Sequence, residues 1–439
     1  MKTWRIDPNE PCIDVLILLG GLILLLAIGV EIAPAMGLVA AFGMIVFVGH
    51  PLDYFARAAF EIMNNFTFTA IPLFVFMGAI FSNTGIIGNL FRGAEKIFGN
   101  LPGSMASSVI VANAIFGAIS GSSLAAVATF GKICFPEMEK SGYDVKLSLG
   151  AIAISGTLSV LIPPSVILIV YAGWQDVSVA RLFAGGIVPG IILASLFVLT
   201  ITIRVMLNRK LAPPVASASF GERLTAIIDL LPFLFIIFLV LGTIFSGIMT
   251  PTESAALGAF LSLVMSIIYR RLTWKDLVNS AWTAVGITSM IAFVLFTARL
   301  LGQVFQFIGL TEAFAVFMTN LPLSKYAILT VICVMYLVLG CFFDALSMLV
   351  LTLPFVAPII NELGFDKIWF GVFYVVLAEI GLVTPPYGLN LFVLNGVVPQ
   401  YEITTIFMGT LPLLIPTLIL VILVVLFPDL VLWLPGIIY

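Results

Sequence analysis

The sequence predicts an all-α polytopic membrane protein with about ten spanning helices and two re-entrant hairpins arranged as an inverted repeat. Of the 439 residues, 62% are hydrophobic and only 9% are charged, whereas soluble domains carry about 25% charged residues. The mean hydropathy is +1.22, and apolar runs of about 18 residues or more recur along the chain. The two halves of the chain also share one pattern of prolines and glycines. These three observations together exclude a soluble protein.

About ten stretches are long and apolar enough to cross a bilayer, because about 20 apolar residues in a helix span its hydrocarbon core. A membrane β-barrel would instead alternate apolar and polar residues over strands of about ten residues, and these runs do not alternate. The predicted spans are 13–33, 35–50, 58–82, 146–173, 182–207, 225–248, 252–270, 277–300, 367–397 and 403–427.

Two further apolar stretches, 104–135 and 325–358, do not have the pattern of simple spans. Each is interrupted near its middle by polar or small residues, and each closes near a proline. We therefore predict two re-entrant hairpins, each of which enters and leaves the membrane on one side. The predicted order is N-terminal scaffold helices, repeat 1, a basic linker with scaffold helices, repeat 2 and a C-terminal tail, with boundaries at 1–57, 58–207, 208–276, 277–427 and 428–439.

The internal repeat is visible as identical residues at a fixed spacing. The segment Asn100-Leu101-Pro102-Gly103-Ser104 matches Asn320-Leu321-Pro322-Leu323-Ser324. Further along, five residues recur 222 positions later in every case, and they are Pro136, Gly142, Asp144, Pro163 and Pro164, matched by Pro358, Gly364, Asp366, Pro385 and Pro386. Isolated prolines and glycines recur by chance, but five identities at one spacing indicate a duplication. A duplicated scaffold without a site is the alternative, and it leaves the paired interruptions unexplained.

The distribution of Lys and Arg predicts that the two copies have opposite orientations. The loops 204–223 and 270–275 are basic, so both are expected on the cytoplasmic side. This assignment places 100–146 on the cytoplasmic side, and it places 320–367 and both termini outside. Inverted repeats with interrupted helices are typical of secondary transporters, whose sites lie near the middle of the bilayer.

Each copy contains two interruptions that could bind an ion or a solute. The first is the predicted hairpin tip, Ser120-Gly121-Ser122-Ser123 in copy one and Gly340 to Asp344 and Ser347 in copy two. The second is a double proline, which removes two backbone donors and frees carbonyls about four residues earlier, near Thr157 and Glu379 respectively. Freed carbonyls and hydroxyls suit Na⁺, and the N-termini of half-helices suit a carboxylate.

The candidate ion- and substrate-binding residues are therefore Ser120, Gly121, Ser122, Ser123, Thr157, Pro163, Pro164, Gly340, Asp344, Ser347, Glu379, Thr384, Pro385, Pro386 and Asn390, with Na⁺ placed at Ser122, Ser123 and Thr384. Simpler alternatives exist for both kinds of interruption. The serines could serve helix packing through small residues, and a double proline could produce only a kink.

Other polar residues in apolar surroundings have more ordinary interpretations. Glu253 is expected to cap a helix with Thr250. Arg299 is either an interfacial anchor or a counter-ion for the solute, and Asn83 and Asn113 are expected to form hydrogen bonds between helices. The amphipathic stretch 85–99 is predicted to lie in the membrane interface as an arm between a moving and a fixed part.

An enzyme is disfavoured by the sequence. Catalysis within the membrane would need a nucleophile with a base, or a metal cluster. The only histidine, His50, stands at a predicted helix end, and no His, Cys or carboxylate cluster accompanies it. No cofactor is predicted, and Na⁺ is expected only as the coupling ion. A passive channel is also disfavoured, because two inverted and interrupted repeats suit alternating access better.

Six motifs together resemble the large membrane subunit of tripartite ATP-independent periplasmic (TRAP) transporters, of the DctM type. The resemblance extends from the first span to about Phe427. The motifs are Ser120-Gly121-Ser122-Ser123, Pro136-Glu137-Met138, Gly142-Tyr143-Asp144, Ile162-Pro163-Pro164-Ser165, Thr250-Pro251-Thr252-Glu253 and Thr384-Pro385-Pro386-Tyr387-Gly388-Leu389-Asn390-Leu391-Phe392. Some family members carry an acidic residue shortly after the Gly-Ser-Ser, where this chain has Leu124, Ala125 and Ala126.

The resemblance implies an ion-transporter-like fold of the elevator type, in which a mobile domain holds both hairpins. It implies Na⁺-coupled import of organic acids, such as C4-dicarboxylates, across the bacterial inner membrane. The implied partners are a small four-helix membrane subunit, expected as a separate chain, and a periplasmic solute-binding protein. The alternative is a stand-alone Na⁺-coupled carboxylate transporter or a Na⁺/H⁺ antiporter of the same superfamily.

Overall fold

The computed structural model describes residues 11–48, 51–99, 101–213 and 220–439, and every regular element in these ranges is helical. Eight helical segments there are long and apolar enough to cross a membrane, and several shorter apolar helices accompany them. The predicted all-α polytopic class is therefore confirmed. His50 and Asn100, which the sequence analysis singled out, lie outside the described residues.

The N-terminal part is a group of three helices that packs against a long later helix. The elements are α1 (Pro11–Ala27), α2 (Ile32–Gly43), its π-helical continuation (Met44–Val48) and α3 (Pro51–Met63). The prediction of one span over 58–82 is wrong, because α3 ends at Met63. The Asn65 side chain then accepts the backbone N–H of Thr67 at 2.9 Å, and this cap starts a separate short turn before the next helix.

Repeat 1 begins with that 3₁₀ turn and continues through eight helices. The turn is Phe66–Thr69, and the eight helices are α4 (Ala70–Asn83), α5 (Ile87–Phe98), α6 (Ser104–Ser120), α7 (Ser123–Lys140), α8 (Val145–Ser155), α9 (Leu158–Leu161), α10 (Val166–Gln175) and α11 (Val179–Leu207). A 3₁₀ turn (Arg209–Leu211) and two scaffold helices follow, α12 (Phe220–Phe245) and α13 (Pro251–Ile268). Helix α13 packs against α4, and α12 packs against α5.

Repeat 2 has the same order of elements. It consists of α14 (Trp274–Phe307), α15 (Leu310–Thr319), α16 (Lys325–Gly340), α17 (Ala345–Glu362), α18 (Lys367–Gly381), α19 (Leu389–Val397) and α20 (Ile403–Leu426). The C-terminal tail 428–439 forms a last helix, α21 (Asp429–Ile438), which packs against α11. The predicted division into domains stays a prediction.

The hairpins are helix–turn–helix pairs, α6 with α7 and α16 with α17. Both second helices run further than predicted, because α7 continues through Pro136 and α17 continues through Pro354 and Pro358. A proline inside a membrane helix is tolerated when neighbouring helices satisfy the freed backbone groups. The predicted spans 146–173 and 367–397 are each interrupted at the double proline, so neither is one continuous helix.

The duplication is present in the structure at the predicted residues. Asp144 caps α8 by accepting the N–H of Leu147 at 2.9 Å, and Asp366 caps α18 by accepting the N–H of Ile368 at 2.7 Å. The preceding glycines have nearly equal φ angles of +75° at Gly142 and +74° at Gly364. Both Pro–Pro peptide bonds are cis.

The two copies run in opposite directions. The hydroxyl of Tyr401, between α19 and α20, donates a hydrogen bond to Glu139 near the loop that joins α7 to α8. At the other end, the hydroxyl of Tyr171 near the end of α10 donates to the carbonyl of Lys367 at the start of α18, at 2.8 Å. Each loop therefore lies beside the non-equivalent loop of the other copy, which is the arrangement of an inverted repeat.

The stretch 85–99, predicted to be an interfacial arm, contains helix α5; its role as an arm stays a prediction, and a matching helix in repeat 2 was not predicted. The apolar face of α5 packs against α12 and α6, so both a scaffold helix and a hairpin helix contact it. The matching element of repeat 2 is α15, which packs against α17. Helix α15 is too short to stand out in the sequence. Only its place before the second hairpin, which matches the place of α5 before the first, could have indicated it.

The tightest helix contact joins α8 to α20 through glycines. A Cβ atom built on Gly150 would lie 2.2 Å from the carbonyl carbon of Gly409, so the two backbones touch directly, as small residues allow in membrane proteins. We expect Gly150→Leu to lower the apparent Tm by several degrees, because an overpacked interior costs about 1–3 kcal/mol. Thermal unfolding of the purified protein in detergent measures this change.

The matched control for that substitution is Gly286→Leu. Gly286 is exposed on α14, and a Cβ atom there meets no atom within 4 Å. An equal fall in Tm for both variants would contradict the direct backbone contact between α8 and α20.

Candidate functional site

The first hairpin tip is a break of two residues between α6 and α7. Gly121 has φ of +60°, a left-handed conformation that lets the chain turn sharply after Ser120. The Ser122 side chain then accepts the backbone N–H of Ala125 at 3.4 Å and caps α7. The positive end of the α7 dipole therefore begins inside the protein, next to Ser122 and Ser123.

The first double proline lies directly against this tip. A Cβ atom on Gly121 would stand 3.1 Å from the carbonyl oxygen of Pro164 and 3.3 Å from the backbone nitrogen of Val166. Val166 begins α10, which the side chain of Ser165 caps. The N-termini of two half-helices thus meet at one place. The Thr157 hydroxyl donates to the carbonyl of Ile154 at 2.6 Å, so this hydroxyl proton is already engaged locally.

The two repeats meet at a buried cluster of three polar side chains. The single hydroxyl proton of Ser123 has two acceptors within reach, Glu379 Oε2 at 3.3 Å and Asn390 Oδ1 at 3.1 Å. Asn390 Nδ2 donates to Ser123 Oγ at 2.9 Å and to the carbonyl of Ala153 at 3.4 Å. Glu379 is 1% exposed and Asn390 is 0% exposed. Glu379 Oε1 is buried and has no hydrogen-bond partner among the described residues.

The sequence places this cluster around the second double proline. Glu379 lies in the last turn of α18, before Pro385 and Pro386, and Asn390 lies in the first turn of α19, after them. Ser123 arrives from the other repeat as the first residue of α7. A buried carboxyl group with one unpaired oxygen, next to a hydroxyl and a side-chain amide, is a suitable arrangement for a hard cation.

The second hairpin tip packs against the second double proline, as the first tip does against the first. The ring of Phe342 at this tip lies 5.8 Å from that of Tyr387, next to Pro386. Gly340 and Gly381 touch through their backbones, since a Cβ atom on Gly381 would lie 2.5 Å from Gly340 Cα. Both interruptions of repeat 2 are therefore neighbours in space.

The predicted side chains of Asp344 and Thr384 make local bonds. Asp344 Oδ2 accepts the backbone N–H of Ser347 at 2.9 Å and caps α17, so these two residues form a helix start equivalent to the one at Ser122. The Thr384 hydroxyl donates to the carbonyl of Ile380 at 2.6 Å. Its oxygen still has a free lone pair, and its assignment as a Na⁺ ligand stays a prediction.

The more ordinary interpretations hold for the asparagines and for Glu253. Asn113 Nδ2 donates to Ser155 Oγ at 2.6 Å, and Asn83 Nδ2 donates to Ser280 Oγ at 2.9 Å, so both join separate helices. Thr250 and Glu253 form a reciprocal capping box at the start of α13.

A partly exposed ion pair between Arg299 and Glu61 was missed by the sequence analysis. Arg299 on α14 donates from Nε and Nη2 to Glu61 Oε2 on α3, at 3.2 and 3.1 Å. Glu61 follows Arg57 by one helical turn in the amphipathic helix α3. This spacing was the only feature of the sequence that could have drawn attention to Glu61. Among the described residues, no three His, Cys, Asp or Glu side chains group as they would around a transition metal.

Comparison with known proteins gives a consistent result across the chain. Residues 19–430 match the family model described as "Tripartite ATP-independent periplasmic transporter, DctM component". The C4-dicarboxylate TRAP transporter large permease protein DctM of Pseudomonas aeruginosa is 34% identical over 92% of this chain and 94% of its own length. The isethionate TRAP transporter permease protein DctMQ of Oleidesulfovibrio alaskensis is 36% identical over 87% of this chain, which spans 60% of that protein.

A third relative is the sialic acid TRAP transporter permease protein SiaT of Haemophilus influenzae, which is 30% identical over 90% of this chain and 67% of its own length. Among solved structures, the YdaH transporter of Alcanivorax borkumensis superposes with a TM-score of 0.62 at 14% identity, covering 95% of this chain and 99% of that one. At that identity the likeness supports the fold alone, which is that of a membrane transporter.

Proposed function

The chain belongs to the DctM family of TRAP transporter large permeases, and from this premise we propose that it imports an organic acid by coupling to Na⁺. Its relatives are transporter permease subunits, so the expectation that it is not an enzyme is confirmed. The coupling ion, the class of solute and the elevator motion are the parts that we propose. The site is taken as the cluster around Ser123, Glu379 and Asn390 with the two hairpin tips.

The observation that carries this proposal is the buried Glu379 carboxyl between the two repeats. Burying a carboxyl group within a membrane span costs free energy, so a carboxyl group found there is a candidate for a functional role. Its Oε1 has no protein partner among the described residues, while Ser123 and Asn390 supply further oxygens within 3.3 Å of one another. A Na⁺ ion bound there would balance the carboxylate and would touch both halves of the inverted repeat.

The proposed solute is an acid because the site also offers helix N-termini. The N-termini of α7 and α10 meet at the first tip, where their partial positive charge favours an anion. The named relatives carry C4-dicarboxylates, isethionate and sialic acid. We propose a C4-dicarboxylate or a related carboxylate as the solute of this chain.

The proposed assembly has three components and resides in the bacterial inner membrane. The family implies a small membrane subunit and a periplasmic binding protein. One relative is named DctMQ, and this name combines the letters of the two membrane components. In our proposal, α6–α7 and α16–α17 move with the broken helices between them, because each tip packs against its own double proline.

Uptake by proteoliposomes tests the proposed function. The chain is reconstituted with its small subunit, the binding protein is added outside, and uptake of radiolabelled acids is measured with an inward Na⁺ gradient. We expect uptake only with Na⁺, the binding protein and the small subunit all present. Equal uptake from a K⁺ gradient would refute Na⁺ coupling, and equal uptake by the chain alone would favour the stand-alone transporter.

A further inference from the structure

A second polar site is a cavity of about 280 Å³ between α14 and hairpin helix α17, bordered by the end of α10. Its walls include Arg299, Gln303 and Gln306 of α14, Thr311 at the start of α15, Pro354 of α17 and Trp174 at the end of α10. Four of these six side chains are polar or charged. In a chain with only 9% charged residues, such a concentration of polar side chains is unusual and is a mark of a solute pathway.

Arg299 stands in this cavity with part of its guanidinium group unused. Its Nε and Nη2 atoms donate to Glu61, and its Cζ lies 5.9 Å from the ring centre of Trp174. Nη1 donates to no acceptor among the described residues. Guanidinium groups bind carboxylates through paired N–H donors, so Arg299 has donors left for a second carboxylate.

A second unsatisfied group lies one helical turn further along α14. Gln303 Oε1 is buried and has no hydrogen-bond partner in the described part of the chain. A hydroxyl of a bound solute or a hydrating water that reached this oxygen would supply the missing donor. The cavity thus combines a cationic donor with one amide side chain whose oxygen lacks a protein partner among the described residues.

The position of the cavity suits a solute that arrives from outside. Trp174 follows Tyr171, whose hydroxyl contacts Lys367 at the loop between α17 and α18. The charge pattern of the sequence predicts that this loop faces outward. The volume of about 280 Å³ is enough for an acid of three or four carbons with some water.

We propose that this cavity is a docking site for a small carboxylate, in which the solute competes with Glu61 for Arg299. The proposal rests on the proposed function, because it concerns the acid that the permease carries. Glu61 keeps Arg299 neutralised when the cavity holds no acid, and the arriving carboxylate takes over some of its hydrogen bonds. Docking in this arrangement is reversible, since one anion replaces another at the same guanidinium group.

If the acid competes with Glu61 for Arg299, substitutions of the two residues change the affinity for the acid in opposite directions. Arg299→Gln removes the binding group, so we expect it to weaken acid binding by at least about tenfold, as for one lost charged hydrogen bond. Glu61→Gln removes the competitor at nearly constant volume, so we expect acid binding to tighten by about threefold to tenfold. A purely structural ion pair would make both substitutions harmful to the same extent.

Equilibrium binding of radiolabelled succinate and pyruvate measures these effects. The permease is purified with its small subunit in detergent, and choline replaces Na⁺ so that Na⁺-coupled binding is absent. Arg57→Gln is the matched control, because Arg57 is exposed and its Nε lies 3.8 Å from the other Glu61 oxygen. We expect binding by this variant within about twofold of the wild type.

Three results would overturn the docking proposal. They are a lack of wild-type binding for both acids, equal weakening by Arg299→Gln and Glu61→Gln, and unchanged binding by both. Glu61→Gln keeps the test decisive if Arg299→Gln fails to fold. Na⁺-driven uptake measured in parallel separates the two proposals, since wild-type uptake can persist when the docking proposal fails.

Discussion

Replacing Glu379 by alanine is expected to reduce Na⁺-driven uptake by at least about 100-fold. The substitution removes the only carboxyl group of the Ser123–Glu379–Asn390 cluster, and it leaves Ser123 and Asn390 facing a small cavity. Loss of a buried charged hydrogen bond costs about 1.5–3 kcal/mol, which corresponds to a factor of roughly 10–150 in rate or binding. Loss of the negative charge that balances a bound cation adds to that cost.

Glu379→Gln separates the charge from the hydrogen bonds. The amide keeps the size of the side chain and an oxygen that can accept from Ser123, but it carries no charge. We expect this variant to lose Na⁺-driven uptake nearly as completely as the alanine variant, while it keeps a Tm near that of the wild type. Uptake by Glu379→Gln at the wild-type rate would show that the carboxylate charge is not needed for coupling.

Glu402→Ala is the matched control for both variants. Glu402 is exposed at the start of α20, where it accepts a hydrogen bond from Thr404. We expect its uptake to stay within about twofold of the wild type, because exposed hydrogen bonds of this kind contribute little. A comparable loss of uptake in this variant would mean that Glu379→Ala acts through general damage.

The parts of this fold that the sequence predicted are those with local causes. A double proline interrupts a helix wherever it stands, because it removes two backbone donors, so the breaks at Pro163 and Pro385 needed no tertiary information. Asp144 and Asp366 were predicted only as matching residues of the duplication, 222 positions apart, and the structure shows that each caps its own helix. Hydropathy alone determined the membrane class.

The composition of the site depended on contacts that no local pattern contains. Ser123 and Glu379 are 256 residues apart and meet only because the two copies pack in opposite directions. The sequence analysis named Ser122, Ser123 and Asp344 alike as candidate binding residues. In the structure, Ser122 and Asp344 cap their own helices. The pairing of Arg299 with Glu61 was missed for the same reason, since 238 residues separate them.

The second large effect is expected at Gly121, where alanine should reduce Na⁺-driven uptake by at least tenfold. With φ at +60°, any residue with a Cβ atom pays roughly 1–2 kcal/mol for the left-handed conformation. The added methyl group would also stand 3.1 Å from the Pro164 carbonyl oxygen and 3.3 Å from the Val166 nitrogen. Both are backbone atoms, so relief requires the first tip to move away from the start of α10.

Gly85→Ala isolates the backbone cost from the contact with α10. Gly85 has φ of +66°, and a Cβ atom there meets nothing within 4 Å. We expect both alanine variants to lose stability in thermal unfolding because both adopt the same unfavourable conformation, and we expect Gly121→Ala to lose more because of its added contacts. Only Gly121→Ala should also lose uptake, since only there does the methyl group separate the two half-helix N-termini. Full uptake by Gly121→Ala, or an equal loss in Gly85→Ala, would show that the close contact between tip and double proline is not required for transport.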